Sequence, residues 1–131
     1  MRSETFFIPV MPRSTNATYA GTHWAKRKQE ADYVHNEVLK SLDRSPEMLT
    51  PFLNPVEICL TPRLGKGVRA RDVSNYSHSY KLIEDGLIHA GILLGDESDK
   101  VVSMSIKRPM IDRKRETGFW VTVTEYEVTG V

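Results

Sequence analysis

The chain reads as a single α+β domain, a mixed four-stranded sheet covered by two helices. Three patterns predict this. Three short segments alternate apolar and polar residues and a fourth, near the start, is β-rich; two longer ones repeat apolar residues every three or four positions, and prolines or glycines separate them in the order strand, helix, strand, helix, strand, strand. At 131 residues the chain has the length of one ordinary domain.

Thr5 to Val10 is β-rich and stops at prolines, which makes it the first strand. Pro12 to Thr22, dense in Ser, Thr, Asn and Gly, is expected to be a loop. From about His23 to Leu42, Ala31, Val34, Val38 and Leu42 recur at helical spacing and predict the first helix. Pro46, Pro51 and Pro55 break the chain that follows. Val56, Ile58 and Leu60 alternate with Glu57, Cys59 and Thr61 as a half-buried strand, and Gly65 and Gly67 open a basic loop. The second helix is expected from about Asp72 to Ala90, with Val73, Tyr76, Tyr80, Ile83 and Leu87 on one stripe and Gly91 as its stop. Val102, Met104 and Ile106 mark a third strand, and Phe119, Val121 and Val123 a fourth. The intervening loop around Pro109 predicts that these two pair as an antiparallel hairpin.

Composition excludes several classes. No apolar run approaches the ~20 residues of a membrane span, and the N-terminal residues lack the pattern of a secretory signal. The single cysteine, Cys59, allows no disulfide within the chain and is expected to be a small core residue, so a cytoplasmic setting is expected. The net charge of +1 conceals segregation: Arg63, Lys66, Arg69 and Arg71 form one basic block, and Lys107, Arg108, Arg113, Lys114 and Arg115 another. Blocks of this kind suit an anionic partner gripped at particular places, or simply a solvated surface.

The candidate chemistry lies between Arg69 and Lys100. Asp72 is placed to be either a helix N-cap or a metal ligand. Asp96, Glu97 and Asp99 crowd three carboxylates into four residues, which suits a hard divalent cation such as magnesium or manganese, or an ordinary acidic turn. Ser74, His78, Lys81 and Asp85 share a helix face, where Lys81 either pairs with Asp85 or faces a phosphate. On one continuous helix Asp72 and Asp85 stand about 20 Å apart and cannot share an ion. Asp72 and Asp96 meet only if the chain folds back sharply, or between two copies whose helices run antiparallel.

These residues carry a resemblance. The Pro12–Asn16 loop, His23-Trp24-Ala25-Lys26-Arg27, Asp72-Val73-Ser74-Asn75, Lys81, Asp85-Gly86 and the turn ending in Asp96-Glu97 resemble, in that order, the RusA-type Holliday-junction resolvases, whose core motif is Asp-x-Asp-Asn. The resemblance spans most of the chain. It implies a magnesium-dependent homodimeric endodeoxyribonuclease, with manganese as a substitute, acting on four-way junctions or other branched DNA in recombination and repair. By that resemblance Asp72, Asp96 and Lys81 are catalytic and Asp72 and Asp96 hold the metal beside Ser74, with Glu97 or Asp99 near enough in sequence to add a charge. Arg69, Arg71, Asn75, Lys26, Arg27, Lys107, Arg108, Arg113, Lys114 and Arg115 would meet DNA. The departure is Ser74, which stands where the family has its second aspartate and brings no charge to the metal. A junction-binding protein with weakened or lost cleavage is therefore the alternative expectation, and an interaction domain with a merely acidic turn is a third.

Overall fold

The computed structural model describes residues 2–20, 23–44 and 50–126. Its elements are β1 (Ser3–Ile8), α1 (Thr15–Tyr19), α2 (Trp24–Asp43), β2 (Val56–Leu64), a 3-10 turn (Val73–Tyr76), α3 (Ser77–His89), β3 (Val101–Ile106), β4 (Met110–Ile111) and β5 (Gly118–Glu125). They form a mixed α+β domain in which a five-stranded open sheet carries three helices. The break expected at Pro46 lies outside the described residues.

The sheet runs β1-β5-β2-β3, with β4 also paired to β2. β5 is antiparallel to both β1 and β2, whereas β3 and β4 are parallel to β2. This corrects the expected hairpin: β3 and β5 are not partners, because β2 lies between them. A helical crossover through α3 brings β3 alongside β2 in the parallel sense, as such connections do. The segment after β3 then adds β4 to the end of β2 before β5 turns back between β1 and β2, so both edges of β5 are hydrogen-bonded.

One face of the sheet is apolar. Phe6 and Ile8 of β1, Phe119, Val121 and Val123 of β5, and Val56, Ile58 and Leu60 of β2 are all buried there. Val34, Val38 and Leu42 of α2 and Tyr80, Ile83 and Leu87 of α3 close the core from above. The opposite face mixes hydroxyls with an aromatic pair, Phe7 and Trp120. Thr5 and Thr122 share a hydroxyl hydrogen bond of 2.9 Å, and Arg63 lies over the Phe7 ring at 3.9 Å. Cys59 pairs in register with Thr122, so it belongs to this half-buried outer face and not to the core. The expected third strand is present as edge strand β3, on which Val102 and Met104 are 39 % and 48 % exposed.

Three local differences bear on the site. The Pro12–Thr22 loop contains α1, capped where Ser14 Oγ accepts the Ala17 amide at 3.1 Å. The expected helix from Asp72 divides into the 3-10 turn and α3, and Val73 at its start is exposed. Asp72 occupies the N-cap position by its backbone, but its side chain makes no capping hydrogen bond. At the other end of α3, Gly91 takes φ +78°, a conformation that favours glycine, while Ile92 N–H donates to Leu87 C=O and Gly91 N–H to Ile88 C=O. This Schellman closure turns the chain back along the helix it has just left.

Candidate functional site

Reversal after α3 buries Ile92 and Leu93 and returns Asp96 to the middle of the helix. There Lys81 Nζ lies 2.6 Å from Asp96 Oδ2, 3.3 Å from Asp85 Oδ1 and 3.4 Å from Glu84 Oε1. One oxygen from each of these three carboxylates falls within 4.8 Å of the other two. Helical spacing explains the near pair, since positions three and four after Lys81 share its face. Asp96 arrives only through the fold-back.

Electrostatics follow from this crowding. The hydrogen bond to Asp96 holds Lys81 well above its ordinary pKa; partial burial opposes the shift, and Asp85 and Glu84 add to it. Reciprocally, Lys81 holds the Asp96 carboxyl below its usual value. Glu84 is buried, and its Oε2 accepts the Tyr80 hydroxyl at 2.8 Å. Burial first, and then the Glu84 hydrogen bond, push the Tyr80 phenol up, so it remains a donor.

Three hard oxygen donors converging on one ammonium suit a small divalent cation. Three formal negative charges thus surround the single positive charge of Lys81. Glu84, Asp85 and Asp96 are the residues that could hold such a divalent ion.

Two clefts flank the group. On one side Tyr80, Glu84 and Asp96 border a cleft of about 230 Å³ walled by Val101, Val102, Ser103 and Met104 of β3. On the other, a cleft of about 400 Å³ is lined by Thr15, Arg27, Ser77, His78, Lys81 and Leu82. Lys81 stands between the acids and this second cleft.

No protein-family model and no curated protein matches the chain.

The expected site residues are distributed unevenly around this centre. Lys81, Asp85 and Asp96 come together. Asp72 and Ser74 are exposed at the 3-10 turn, and Asp72 is not part of the carboxylate group within one chain. Glu97 does not join it either: its main-chain carbonyl accepts the Lys100 and Val101 amides, and its carboxylate packs against Gly95. Asp99 pairs with Lys100 at 3.8 Å. Asn75 is a fastener, its Oδ1 accepting the Asn16 amide at 2.9 Å, so the Pro12–Asn16 loop is stitched to the segment that begins α3. The two basic blocks converge where β4 pairs with the end of β2, and Arg113 Nη1 donates to the Gly65 and Val68 carbonyls. Arg113 therefore ties the blocks together, and Arg71 lies 5.3 Å over the Tyr76 ring. Lys66, Arg69, Lys107, Arg108, Lys114 and Arg115 are exposed around this junction, with Arg115 3.6 Å from Asp112; Lys26 and Arg27 are exposed on α2.

Two participants escaped sequence reasoning. Glu84 follows Tyr80 by four and neighbours the Ile83 and Leu87 stripe, so an acid at a buried register was the available signal. Glu30 reaches His78 Nε2 at 2.9 Å and accepts the Arg13 amide at 2.8 Å. Burial raises the Glu30 pKa, but the Arg13 amide and His78 outweigh it and hold the carboxyl below its ordinary value. Nothing local in the sequence marks that pair.

Proposed function

We propose that the chain is a magnesium-dependent endodeoxyribonuclease acting on branched DNA, of the kind its resemblance to the RusA-type resolvases implies. The observation that carries this reading is the trio of carboxylates drawn around Lys81, with an acid imported by the fold-back after α3. Glu84, Asp85 and Asp96 would hold the ion. When bound, magnesium supplies a Lewis acid that polarises a phosphoryl oxygen and lowers the pKa of its water. Lys81, released from the carboxylates as the ion takes its place, would turn its charge to the phosphate, where negative charge grows during cleavage. The exposed cations around the joined basic blocks would hold the backbone, a contact that fixes position and weakens steeply with salt.

A homodimer belongs to the same proposal. With antiparallel α3 helices, Asp72 and Ser74 of one copy would approach the acidic group of the other, restoring a role for the motif Asp72-Val73-Ser74-Asn75. The uncharged Ser74 favours one second reading, a junction-binding protein with reduced cleavage.

A labelled four-way junction separates the two. Magnesium-dependent nicking that disappears in Asp96→Asn while junction binding persists is the expected result. Binding without nicking in the natural chain, with nicking gained in Ser74→Asp, supports the second reading. Indifference to DNA at low salt rejects both. Asp72→Asn, measured alongside, reports whether that carboxylate is needed for cutting.

A further inference from the structure

The cleft between α2 and the start of α3 has a polar lining of one chemical sense. Thr15, Ser77, His78, Lys81 and Arg27 border it, and no carboxylate is among the lining residues. Among the described residues, Arg27 has no ion-pair partner, although acids are plentiful on α2.

The hydroxyls of Thr15 and Ser77 lie 2.9 Å apart, and Thr15 Oγ1 also accepts the His78 amide at 3.0 Å. Two hydroxyl protons serve a single bond between them, which leaves one O–H to donate outward. His78 Nε2 is occupied by Glu30, and the Glu30 carboxylate also takes the Arg13 amide and lies 3.6 Å from Arg13 Nε. The Glu30 carboxylate is thus engaged by its own partners, and the imidazole ring is held in one orientation. What remains for a ligand is a guanidinium and a hydroxyl donor, a pair that suits a tetrahedral oxyanion, while the Lys81 ammonium at the rim is engaged by Asp96, Asp85 and Glu84. Because Lys81 also touches the acidic trio, an occupant of this cleft would sit beside whatever that trio holds.

We propose that this cleft seats a backbone phosphate of a polynucleotide strand, next to the phosphate at the acidic group, with Arg27 as its counter-charge and the Ser77 hydroxyl as a second donor. This rests on the nuclease reading for the strand's identity, and on the cleft's own chemistry for the phosphate. Glu30 and Arg13 act through His78 as positioning residues, fixing the wall against which the anion lies.

The test is a two-dimensional amide NMR titration with a single-stranded thymidylate pentanucleotide, with EDTA present so that nothing is cut. Saturable shifts are expected at Thr15, Ser77 and His78. Arg27→Ala should weaken the affinity read at those amides about tenfold, and Ser77→Ala about threefold, as expected for charge-assisted and neutral hydrogen bonds. Inorganic phosphate should move the same amides at much higher concentration, which separates a strand site from a site for free anion; equal affinity for the two would overturn the polynucleotide assignment. Shifts confined to the basic loops at 65–71 and 107–115, or an Arg27→Ala titration matching the natural chain, would overturn the proposal outright. Nicking of a branched substrate is scored separately. Its absence with these shifts intact removes the nuclease reading and leaves the phosphate seat standing, while nicking without movement of these amides does the reverse.

Discussion

Replacing Glu84 by Gln should make the protein more stable without metal and less stable with it. Glu84 and Asp85 present oxygens no more than 4.8 Å apart. Two unit charges at that separation repel by about 0.9 kcal/mol at the dielectric of water and about 3.5 kcal/mol at an effective value near 20. Lys81 offsets part of this from 3.4 Å, but its side chain is 53 % exposed, so screening keeps that attraction under about 1 kcal/mol. Gln preserves an oxygen to accept the Tyr80 hydroxyl and removes a charge that is only 8 % exposed. The balance favours the variant by roughly 1 kcal/mol, a rise of about 3–5 °C in the unfolding midpoint for a domain of this size. Metal reverses the order. At ten times its dissociation constant, magnesium or manganese stabilises the natural chain by about 1.4 kcal/mol, and the two midpoints cross near four to five times that constant. Thermal unfolding followed by circular dichroism across a metal titration checks this. A natural chain whose midpoint ignores both ions, or a Glu84→Gln variant that gains as much as the natural chain, would refute the assignment of the trio as a metal site.

Two further expectations test the packing. His35 and His89 stack at 4.6 Å, and burial, then His89, hold the His35 pKa below 6.5 against the opposing pull of Asp85 and Asp32. The unfolded chain therefore takes up this proton first. Stability should be lost as pH falls through 6.5, so the midpoint should drop between about pH 7.5 and 5.5, and His35→Gln should flatten part of that slope; an unchanged slope in the variant contradicts the reasoning. Ile83 is fully buried and Met104 is half-exposed on edge strand β3. Ile83→Ala should cost about 2–5 kcal/mol in urea unfolding, while Met104→Lys should stay within about 0.5 kcal/mol. Equal costs would return β3 to the interior.

The order of elements was legible because hydrophobic periodicity is local. Val34, Val38 and Leu42 recur at helical spacing on a segment that is α2 to within a residue or so at each end, and Tyr76, Tyr80, Ile83 and Leu87 lie buried along one side, as their spacing requires. Alternation marked both β3 and β5 as strands, but Phe119, Val121 and Val123 are buried in β5 whereas edge strand β3 leaves Met104 in solvent.

What lay beyond the sequence was adjacency. Periodicity states which face of a strand is apolar but not which neighbour satisfies its amides and carbonyls, and so the β3–β5 hairpin gave way to a parallel β2–β3 pair with β5 on the other side of β2. The same division runs through the candidate site. Lys81 and Asp85 were visible as helix neighbours, and the basic blocks as runs of charge. The closure at Gly91 that returns Asp96 to Lys81, the burial that draws Glu84 into the same group, and the Glu30 contact that holds His78 all depend on chain segments distant in sequence being brought together when the core closes. Local patterning therefore determined the elements and their apolar faces, and tertiary packing alone decided which charges meet.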